Sequence, residues 1–263
     1  MRIVRNTQYV KKKRKIARGA ALAGFLMLAS TFFLAFNPDY LLIAYAILFT
    51  GFIVFNFGMQ QLGMWSRKPR NDEALDHVLG GLPENKYTLI HFARAGKRVV
   101  NHLLVHPGGV LVLVTRELPG RVRYDGKRWR KTGVGITRFF AMSGPQLGSP
   151  SMDVESDVAA LEAYLREKQV EVDIYPAVVF LNDRVDLEVD EAVELPIMTS
   201  DVLPAFIREL EADQAFKPAD RDALIAMLTS DPGFDKVEAR PTKRPVKVKA
   251  RSKPASRSKG KAA

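Results

Sequence analysis

Two uncharged apolar segments, separated by only three residues, constrain this chain more than any other feature of its sequence. The first runs from Gly19 to Phe36 and the second from Tyr40 to Phe57, so each has 18 residues. An α-helix needs roughly 17–25 apolar residues to cross the hydrocarbon core of a bilayer. Because only Asn-Pro-Asp lies between the segments, the sequence predicts two antiparallel transmembrane helices, at about residues 19–36 and 40–63.

The flanks of this helix pair are basic, whereas the turn between the helices carries no basic residue. The segment KKKRK at residues 11–15 precedes the first helix, and RKPR at residues 67–70 follows the second. The positive-inside rule therefore predicts a multi-pass inner-membrane protein with both termini and the following domain in the cytoplasm. A cleaved signal peptide and a buried hairpin of a soluble protein are the alternatives, but neither explains two consecutive apolar runs.

The net charge of +11 is distributed unevenly along the chain. Residues 1–18 have 8 basic and no acidic side chains, residues 71–235 have 18 basic and 27 acidic, and residues 236–263 have 11 basic and 1 acidic. Basic composition alone therefore does not predict a nucleic-acid-binding domain, because the central part is acidic. The predicted parts are a basic cytoplasmic N-terminus (1–18), the transmembrane hairpin (19–64), a soluble domain (71–235) and a disordered basic tail (236–263).

The soluble part alternates helix and strand patterns, which predicts an α/β or α+β fold. Amphipathic spacing and capping residues predict helices at residues 72–79, 149–168, 201–211 and 218–229. Runs rich in β-branched residues predict strands at 86–92, 98–105, 110–116, 172–181, 185–189 and 195–198. The run VLVLVTR is apolar on both faces, so it is predicted to be a central strand. Cysteine is absent, which excludes disulfides and thiolate chemistry.

Residues 121–131, RVRYDGKRWRK, predict a β-hairpin with Asp-Gly as its two-residue turn. That turn places Arg123 opposite Arg128 and Arg121 opposite Arg130, so four arginines share one face. Like charges repel, so we expect an anion or an acidic surface over these side chains. Nucleic acid, anionic lipid and the domain's own acidic part are the candidates for that counter-charge.

An ordered series of motifs resembles the NERD (nuclease-related) domain. Its strongest part is NHLLVHPGGVLVLVTRELPG at residues 101–120; Trp129, Gly148–Pro150 and YPAVVF at 175–180 continue the match. The resemblance covers roughly residues 72–210. NERD domains are similar to the restriction-endonuclease-like PD-(D/E)XK fold, so the resemblance implies a mixed sheet flanked by helices and a site derived from metal-dependent nucleases.

In that family an aspartate on one strand and a Glu-x-Lys on the next hold a divalent cation and activate water. The corresponding positions in this chain are occupied by Asn101, Val114 and Arg116, so all three have changed. Glu73 corresponds to the family's opening glutamate, although Asp72 replaces the glycine before it. The resemblance therefore implies a catalytically degenerate relative, and we predict no catalytic residue, cofactor or metal site.

Nearby acidic residues are not predicted to replace the carboxylates that this site has lost. Glu117 is the acid nearest to Arg116, but successive strand residues face opposite sides. The family's downstream glutamine falls near Asp153. His102 and His106 share one side of a strand, yet they lie too far apart along it to bind a single ion.

The leading hypothesis is a membrane-anchored, catalytically inactive NERD-like domain that binds or scaffolds. Its expected partners are membrane lipids, with nucleic acid or another protein as further candidates, and no small-molecule substrate is inferred. The alternatives are an active metal-dependent nuclease with a relocated site and a purely structural membrane-associated protein.

Overall fold

A mixed six-stranded sheet forms the centre of the folded domain in the computed structural model. The structure describes residues 1–132, 146–210, 212–213 and 215–234, so the predicted basic tail lies outside the described residues. The helices are α1 (Thr7–Leu34), α2 (Leu41–Ser66), α3 (Asn71–Val78), α4 (Pro150–Glu167), α5 (Leu203–Glu209) and α6 (Pro218–Leu228), with a 3-10 turn at Pro38–Tyr40. The strands are β1 (Arg2–Arg5), β2 (Thr88–Ala95), β3 (Arg98–His106), β4 (Gly109–Arg116), β5 (Gly120–Tyr124), β6 (Trp129–Thr132), β7 (Ile174–Phe180), β8 (Val185–Val189) and β9 (Ile197–Thr199).

The strand order of the main sheet is β1-β2-β3-β4-β7-β9. Strands β2, β3 and β4 pair antiparallel, whereas β1 pairs parallel to β2, and β7 pairs parallel to β4 and β9. The predicted α/β class and its mixed sheet flanked by helices are confirmed. The apolar run VLVLVTR lies in β4, between β3 and β7, as its two-sided hydrophobicity predicted.

Helices cover both faces of this sheet, and each face has its own apolar cluster. On the side called here the α3 face, Leu75 and Leu79 of α3 pack with strand residues such as Leu104 and Leu111. On the side called the α4 face, Leu161 of α4 packs with a second set of strand residues and with α6. The two sets alternate along the strands because successive side chains point to opposite faces.

Strand β1 is a component of the sheet that the sequence did not reveal. Its four residues pair parallel to β2, from Arg2 beside Thr88 to Arg5 beside His91. Helix α1 begins immediately afterwards, and the Asn6 side chain caps it by accepting a hydrogen bond from the Tyr9 amide. The folded domain therefore includes residues that precede the helical hairpin, in addition to those that follow it.

Helices α1 and α2 form an antiparallel hairpin, and glycine allows their backbones to approach closely. A Cβ atom on Gly24 would lie 2.3 Å from the Phe55 amide nitrogen, and one on Gly58 would lie 2.3 Å from that of Ala21. Most large apolar side chains of the pair point outward; Phe33 is 74% exposed. Both helices are long and apolar enough to cross a membrane.

A second, three-stranded sheet has the order β6-β5-β8. Strands β5 and β6 form the predicted hairpin, but Tyr124 pairs with Trp129 and Arg123 with Arg130. The predicted two-residue turn is therefore wrong, and so are the predicted pairings of Arg123 with Arg128 and of Arg121 with Arg130; Arg121 pairs with Thr132 instead.

The physical reason for the longer connection lies in Asp125 and the aromatic pair that follows it. The Asp125 carboxylate accepts hydrogen bonds from the amides of Lys127 and Arg128, which closes a side-chain-supported turn of four residues. The rings of Tyr124 and Trp129 stack with centroids 4.2 Å apart, an aromatic cross-strand pair that favours this register.

Candidate functional site

Two of the positions predicted to correspond to the nuclease site, Val114 and Arg116, lie at the end of β4 near the start of α4. Val114 is buried against Val154 of α4. The Arg116 guanidinium donates a hydrogen bond from Nε to the Leu147 carbonyl oxygen at 2.7 Å and forms an ion pair with Asp153. An arginine thus bridges β4 and α4 at the family's lysine position.

Asn101 lies at an irregularity between β2 and β3. The strand pairing passes from His91 and His102 directly to Ala93 and Val100, which leaves Asn101 across from Phe92 without a ladder partner. Phe92 has a φ of 62°, an uncommon conformation for a residue with a side chain. The Asn101 side chain is exposed, and in the described part of the chain no hydrogen bond joins it to Arg116.

Two carboxylates of α4 approach this region, but an arginine binds each of them. Asp153 pairs with Arg116, and Asp157, one helical turn later, pairs with Arg98. Burial raises the pKa of the Asp157 carboxyl, while the hydrogen bond from Arg98 opposes this effect. Within the described ranges, no three His, Asp or Glu side chains are grouped so that they could hold a metal ion.

Glu73 and Glu117, the other acidic residues considered for the site, are also paired with arginines. Glu73 accepts a hydrogen bond from the Arg70 amide and pairs with the Arg70 guanidinium, so it caps its own helix. Glu117 pairs with Arg67, which lies in the linker after α2. The structure therefore does not bring Glu73 or Glu117 together with Arg116.

The α3 face contains a chain of buried, hydrogen-bonded polar side chains that the sequence did not predict. His91 Nδ1 lies 2.8 Å from His102 Nδ1, and His91 Nε2 lies 2.9 Å from Asp76 Oδ1. At the other end, His102 Nε2 lies 3.2 Å from the Thr115 hydroxyl, which also accepts a hydrogen bond from the Asn71 side-chain amide. The two histidines, Asp76 and Thr115 are all less than 9% exposed.

The carboxylate at one end sets the direction of every hydrogen bond in this chain. Ionised Asp76 can only accept, so neutral His91 donates from Nε2 and accepts at Nδ1. His102 then donates from Nδ1 and accepts at Nε2 from the Thr115 hydroxyl. All ring nitrogens are satisfied with both histidines neutral. Burial, followed by the neighbouring His91, lowers the pKa of His102 well below its usual value.

Arginines from both sides of the helical hairpin extend this network. Arg5, just before α1, pairs with Asp76 and with Asp72. Arg70, just after α2, makes a two-pronged contact with Asp72, at 2.9 Å and 2.7 Å. Burial opposes ionisation of Asp72, but the hydrogen bond from Arg70 and the charge of Arg5 lower its pKa to about 2.

His106 is not part of this network, although it shares the same strand. Its Nδ1 accepts a hydrogen bond from the Gly108 amide at 3.1 Å. Burial, aided by the charge of Arg221, lowers its pKa to about 4. His102 and His106 therefore have separate hydrogen-bond partners.

The predicted arginine face is partly neutralised by the domain's own acidic strand. Arg121 pairs with Asp186 at 2.8 Å and with Glu188 at 3.4 Å, both on β8. Arg130 lies 3.7 Å from Asp125. Arg123 shares the face with these groups, but no ion pair of its own occurs among the described residues, and Arg128 lies in the turn outside the ladder.

The chain matches a known family of protein domains. Residues 70–181 match the family model described as the nuclease-related domain, NERD, which confirms the resemblance inferred from the motifs. The matched segment extends from the start of α3 to the end of β7, and it contains the positions of Glu73, Asn101, Val114 and Arg116. No curated protein and no solved structure matches the chain at a significant level.

Proposed function

We propose that this chain, which carries a nuclease-related domain at residues 70–181, is a membrane-anchored protein whose domain lacks metal-dependent catalysis and acts as a binding or scaffolding module. In this proposal the hairpin α1–α2 crosses the membrane, and the domain and both termini lie on its cytoplasmic side. The exposed apolar side chains of the hairpin and its basic flanks support this placement.

The occupation of the nuclease position by Arg116 is the observation that carries the catalytic part of the proposal. A divalent cation in such a site needs carboxylate oxygens, and here Asn101 is neutral while Val114 offers no ligand atom. The Arg116 guanidinium adds a positive charge and is held by the Leu147 carbonyl and by Asp153. A metal ion would have to displace this ion pair, and among the described residues Asp157, the other carboxylate of α4 in this region, is paired with Arg98.

Attachment to the hairpin is the role that the domain's polar residues support best. The buried network connects Arg5, which precedes the hairpin, with Arg70 and Asn71, which follow it. Removing one partner from such a network leaves a buried charge unpaired, so the two linkers are held firmly. A domain fixed in this way at a membrane surface can present a binding face in a defined orientation.

Arg123 and Arg128 are the side chains through which the domain would contact an anionic partner. Both are exposed, and Arg123 lies directly across from Arg130, so an added anion would relieve repulsion between them. The acidic residues of β8 reduce this attraction, because Asp186 and Glu188 already offset Arg121. Nucleic acid and anionic lipid remain the candidates for this face.

The catalytic proposal is tested by incubating the full chain, in lipid nanodiscs, with DNA and RNA in the presence of Mg²⁺ or Mn²⁺. We expect no cleavage above the metal-only control. The triple variant Asn101→Asp, Val114→Glu, Arg116→Lys restores the family chemistry, so it should bind Mn²⁺ more tightly than the unmodified chain. A matched variant with Val114→Gln in place of Val114→Glu keeps the shape but lacks the second carboxylate.

Cleavage by the unmodified chain would support the alternative of a relocated active site. Asp153 and Asp157 are the acids to test first, since they are one turn apart on α4 beside Arg116. Loss of that cleavage in Asp153→Asn or Asp157→Asn would identify the relocated ligands and overturn the proposal.

A further inference from the structure

A small cavity lies on the α4 face of the main sheet, at the end where β1 and β2 begin. Thr88 of β2 pairs with Arg2 of β1 and with Val105 of β3, so these three side chains point to the same side of the sheet. Helix α6 covers this side and contributes Arg221 and Ile225. Together these residues line a cavity of about 210 Å³.

Three cationic side chains line this cavity, and they come from separate parts of the chain. Arg2 belongs to β1, Lys86 lies just before β2, and Arg221 is in the first half of α6. The Arg221 guanidinium donates a hydrogen bond from Nη1 to the Lys86 carbonyl oxygen at 3.1 Å, which holds α6 against the segment before β2. We call the cavity with these three side chains the cationic pocket.

Both arginines of the cationic pocket have a buried donor that the protein does not satisfy. The Nε atoms of Arg2 and Arg221 are inaccessible to solvent, and neither has a hydrogen-bond partner in the part of the chain that the structure describes. A buried donor without a partner destabilises a fold. A ligand that offers acceptor oxygens to these two atoms is therefore favoured.

The acidic side chains at the rim do not neutralise the cationic pocket. Glu84 and Asp222 also line it, and both are exposed, so two negative charges face three positive ones. Asp222 lies 3.9 Å from Arg2 Nη1, which is a long ion pair. Within the described ranges, neither Lys86 nor Arg221 forms an ion pair with an acidic side chain. The remaining positive charge favours an anionic ligand.

The size and the donors of the cationic pocket favour a phosphate group. Pockets for drug-sized ligands have volumes of roughly 300–1,000 Å³. A cavity of about 210 Å³ therefore suits a phosphate group with few further atoms rather than a nucleotide. Arginine binds phosphate oxygens through charge-assisted hydrogen bonds. A phosphate monoester offers three acceptor oxygens and roughly two negative charges, so it can engage all three cations at once.

The cationic pocket lies at the end of β2 that is remote from the hairpin. Phe92 packs on Val10 and Trp65 at the base of the hairpin, and Thr88 precedes it by four residues on the same strand. At the usual rise of a strand, this separation is roughly 13 Å. Helix α1 then extends by about 18 Å from Thr7 to Gly19, where the uncharged run begins. The location therefore favours a water-soluble ligand over a lipid headgroup.

We propose that the cationic pocket binds the phosphate group of a small water-soluble molecule, with Arg2 and Arg221 donating from Nε and Lys86 adding a third positive charge. Arg2 and Arg221 lie outside residues 70–181, so the site combines the nuclease-related domain with the segments on both sides of it. The bound anion connects β1, the segment before β2 and α6. Binding requires neither insertion of the hairpin into a membrane nor an inactive nuclease position.

The test is isothermal titration calorimetry of the full chain in a sugar-headed detergent, which contains no phosphate, with inorganic phosphate as the probe. Sodium chloride at equal ionic strength is the reference. We expect saturable binding of one phosphate per chain and a higher thermal unfolding temperature, because the ligand binds only the folded state.

Two arginine variants test whether the cationic pocket is the binding site. Arg221→Gln removes a charge-assisted donor, so it should weaken phosphate binding by at least about tenfold. Arg208→Gln is the matched control, because Arg208 is an exposed arginine of α5 that does not line the pocket. Its affinity for phosphate should equal that of the unmodified chain.

A third variant separates binding from folding, because Arg221 also contacts the Lys86 carbonyl oxygen. Asp222→Asn removes the carboxylate nearest to Arg2 from a side chain that is 74% exposed, so the fold should remain intact. The affinity for phosphate should rise by about two- to fivefold, since a surface ion pair no longer competes with the ligand. An unchanged or weaker affinity in Asp222→Asn would contradict the proposed site.

The remaining outcomes decide between the proposal and its alternatives. Absence of saturable binding by the unmodified chain at millimolar phosphate would overturn the proposal. Equal loss of affinity in Arg221→Gln and Arg208→Gln would also overturn it, because binding would then follow overall charge. If phosphatidic acid in the micelles raises the unfolding temperature and inorganic phosphate does not, the ligand is a lipid headgroup and the water-soluble assignment is wrong. Hairpin insertion and the lack of cleavage are tested separately from these outcomes.

Discussion

The two faces of the central sheet differ in the burial and pairing of their polar side chains. On the α4 face, the positions predicted to correspond to a nuclease site hold an exposed asparagine, a buried valine and an arginine paired with a carboxylate that is 51% exposed. On the α3 face, Asp76, His91 and His102 form a chain of buried hydrogen bonds, and arginines from both hairpin linkers join it.

This contrast shows which face of the domain requires precise placement of its polar groups. Buried polar groups are costly unless they are paired, so a network on the α3 face in which every histidine ring nitrogen is hydrogen-bonded favours one arrangement of the linkers. Among the described residues, the pairs on the α4 face are fewer and more open to solvent. The buried polar groups of the domain therefore connect it to the linkers of the hairpin, as the proposed function requires.

The largest expected difference between the faces is in stability. Asp76→Ala leaves the buried His91 without its carboxylate partner and Arg5 with Asp72 alone, and breaking a buried network in this way costs about 3–5 kcal/mol. Asp153→Ala removes a partly exposed pair, so its cost should remain below about 1 kcal/mol. Chemical unfolding of the full chain in detergent, followed by tryptophan fluorescence, measures both values.

Asp76→Asn refines this measurement because it keeps the shape of the side chain and removes only its charge. Its cost should lie between those of the two alanine variants. Equal destabilisation by Asp76→Ala and Asp153→Ala would contradict the predicted difference in stability between the two faces.

The α3 face, where His102 and His106 lie, should also make the folded domain less stable at acidic pH. Both pKa values are lowered in the folded state, so the unfolded chain takes up protons first as the pH falls below about 6.5. The contribution of these histidines to the free energy of unfolding is therefore fully present above pH 6.5 and is lost progressively toward pH 4. His106 alone contributes about 3 kcal/mol. The contribution of Asp72 is lost in a separate window, below its usual pKa of 3.8 and toward about 2.

The measurement is the free energy of unfolding at several pH values between 7.5 and 4.5, for the unmodified chain and for His106→Gln. The variant should show a flatter decline, since glutamine does not titrate. Stability that is constant or rises over this range would show that the buried histidines do not control it.

The sequence predicted the parts of the fold that local patterns specify. The β-branched runs located β2, β3 and β4, and Ser149 with Pro150 marked the start of α4. Strand β1 was missed because four residues at a basic terminus become a strand only by pairing with β2. The register of the β5–β6 hairpin was wrong because the Asp125 side chain, rather than the Asp-Gly pair, determines the turn.

The sequence placed Val114 and Arg116 on one strand, which the structure confirms, but their assignment to the family's site stays a prediction. The buried network was not predicted at all. The network needs His91 to lie beside His102 and α3 to lie over both, which is a tertiary arrangement. The available signal was the presence of histidines inside strands that are otherwise apolar, together with Asp72 and Asp76 one turn apart on α3.

Hydrogen exchange of the full chain, compared between Asp76→Asn and Asp153→Asn, tests most directly whether the α3 face holds the hairpin to the domain. The account predicts faster amide exchange at residues 2–10 and 66–73 in Asp76→Asn, because local opening follows the loss of buried pairs. Asp153→Asn should leave both linkers as protected as in the unmodified chain. Unchanged protection of the linkers in Asp76→Asn, or the same loss in both variants, would contradict the account.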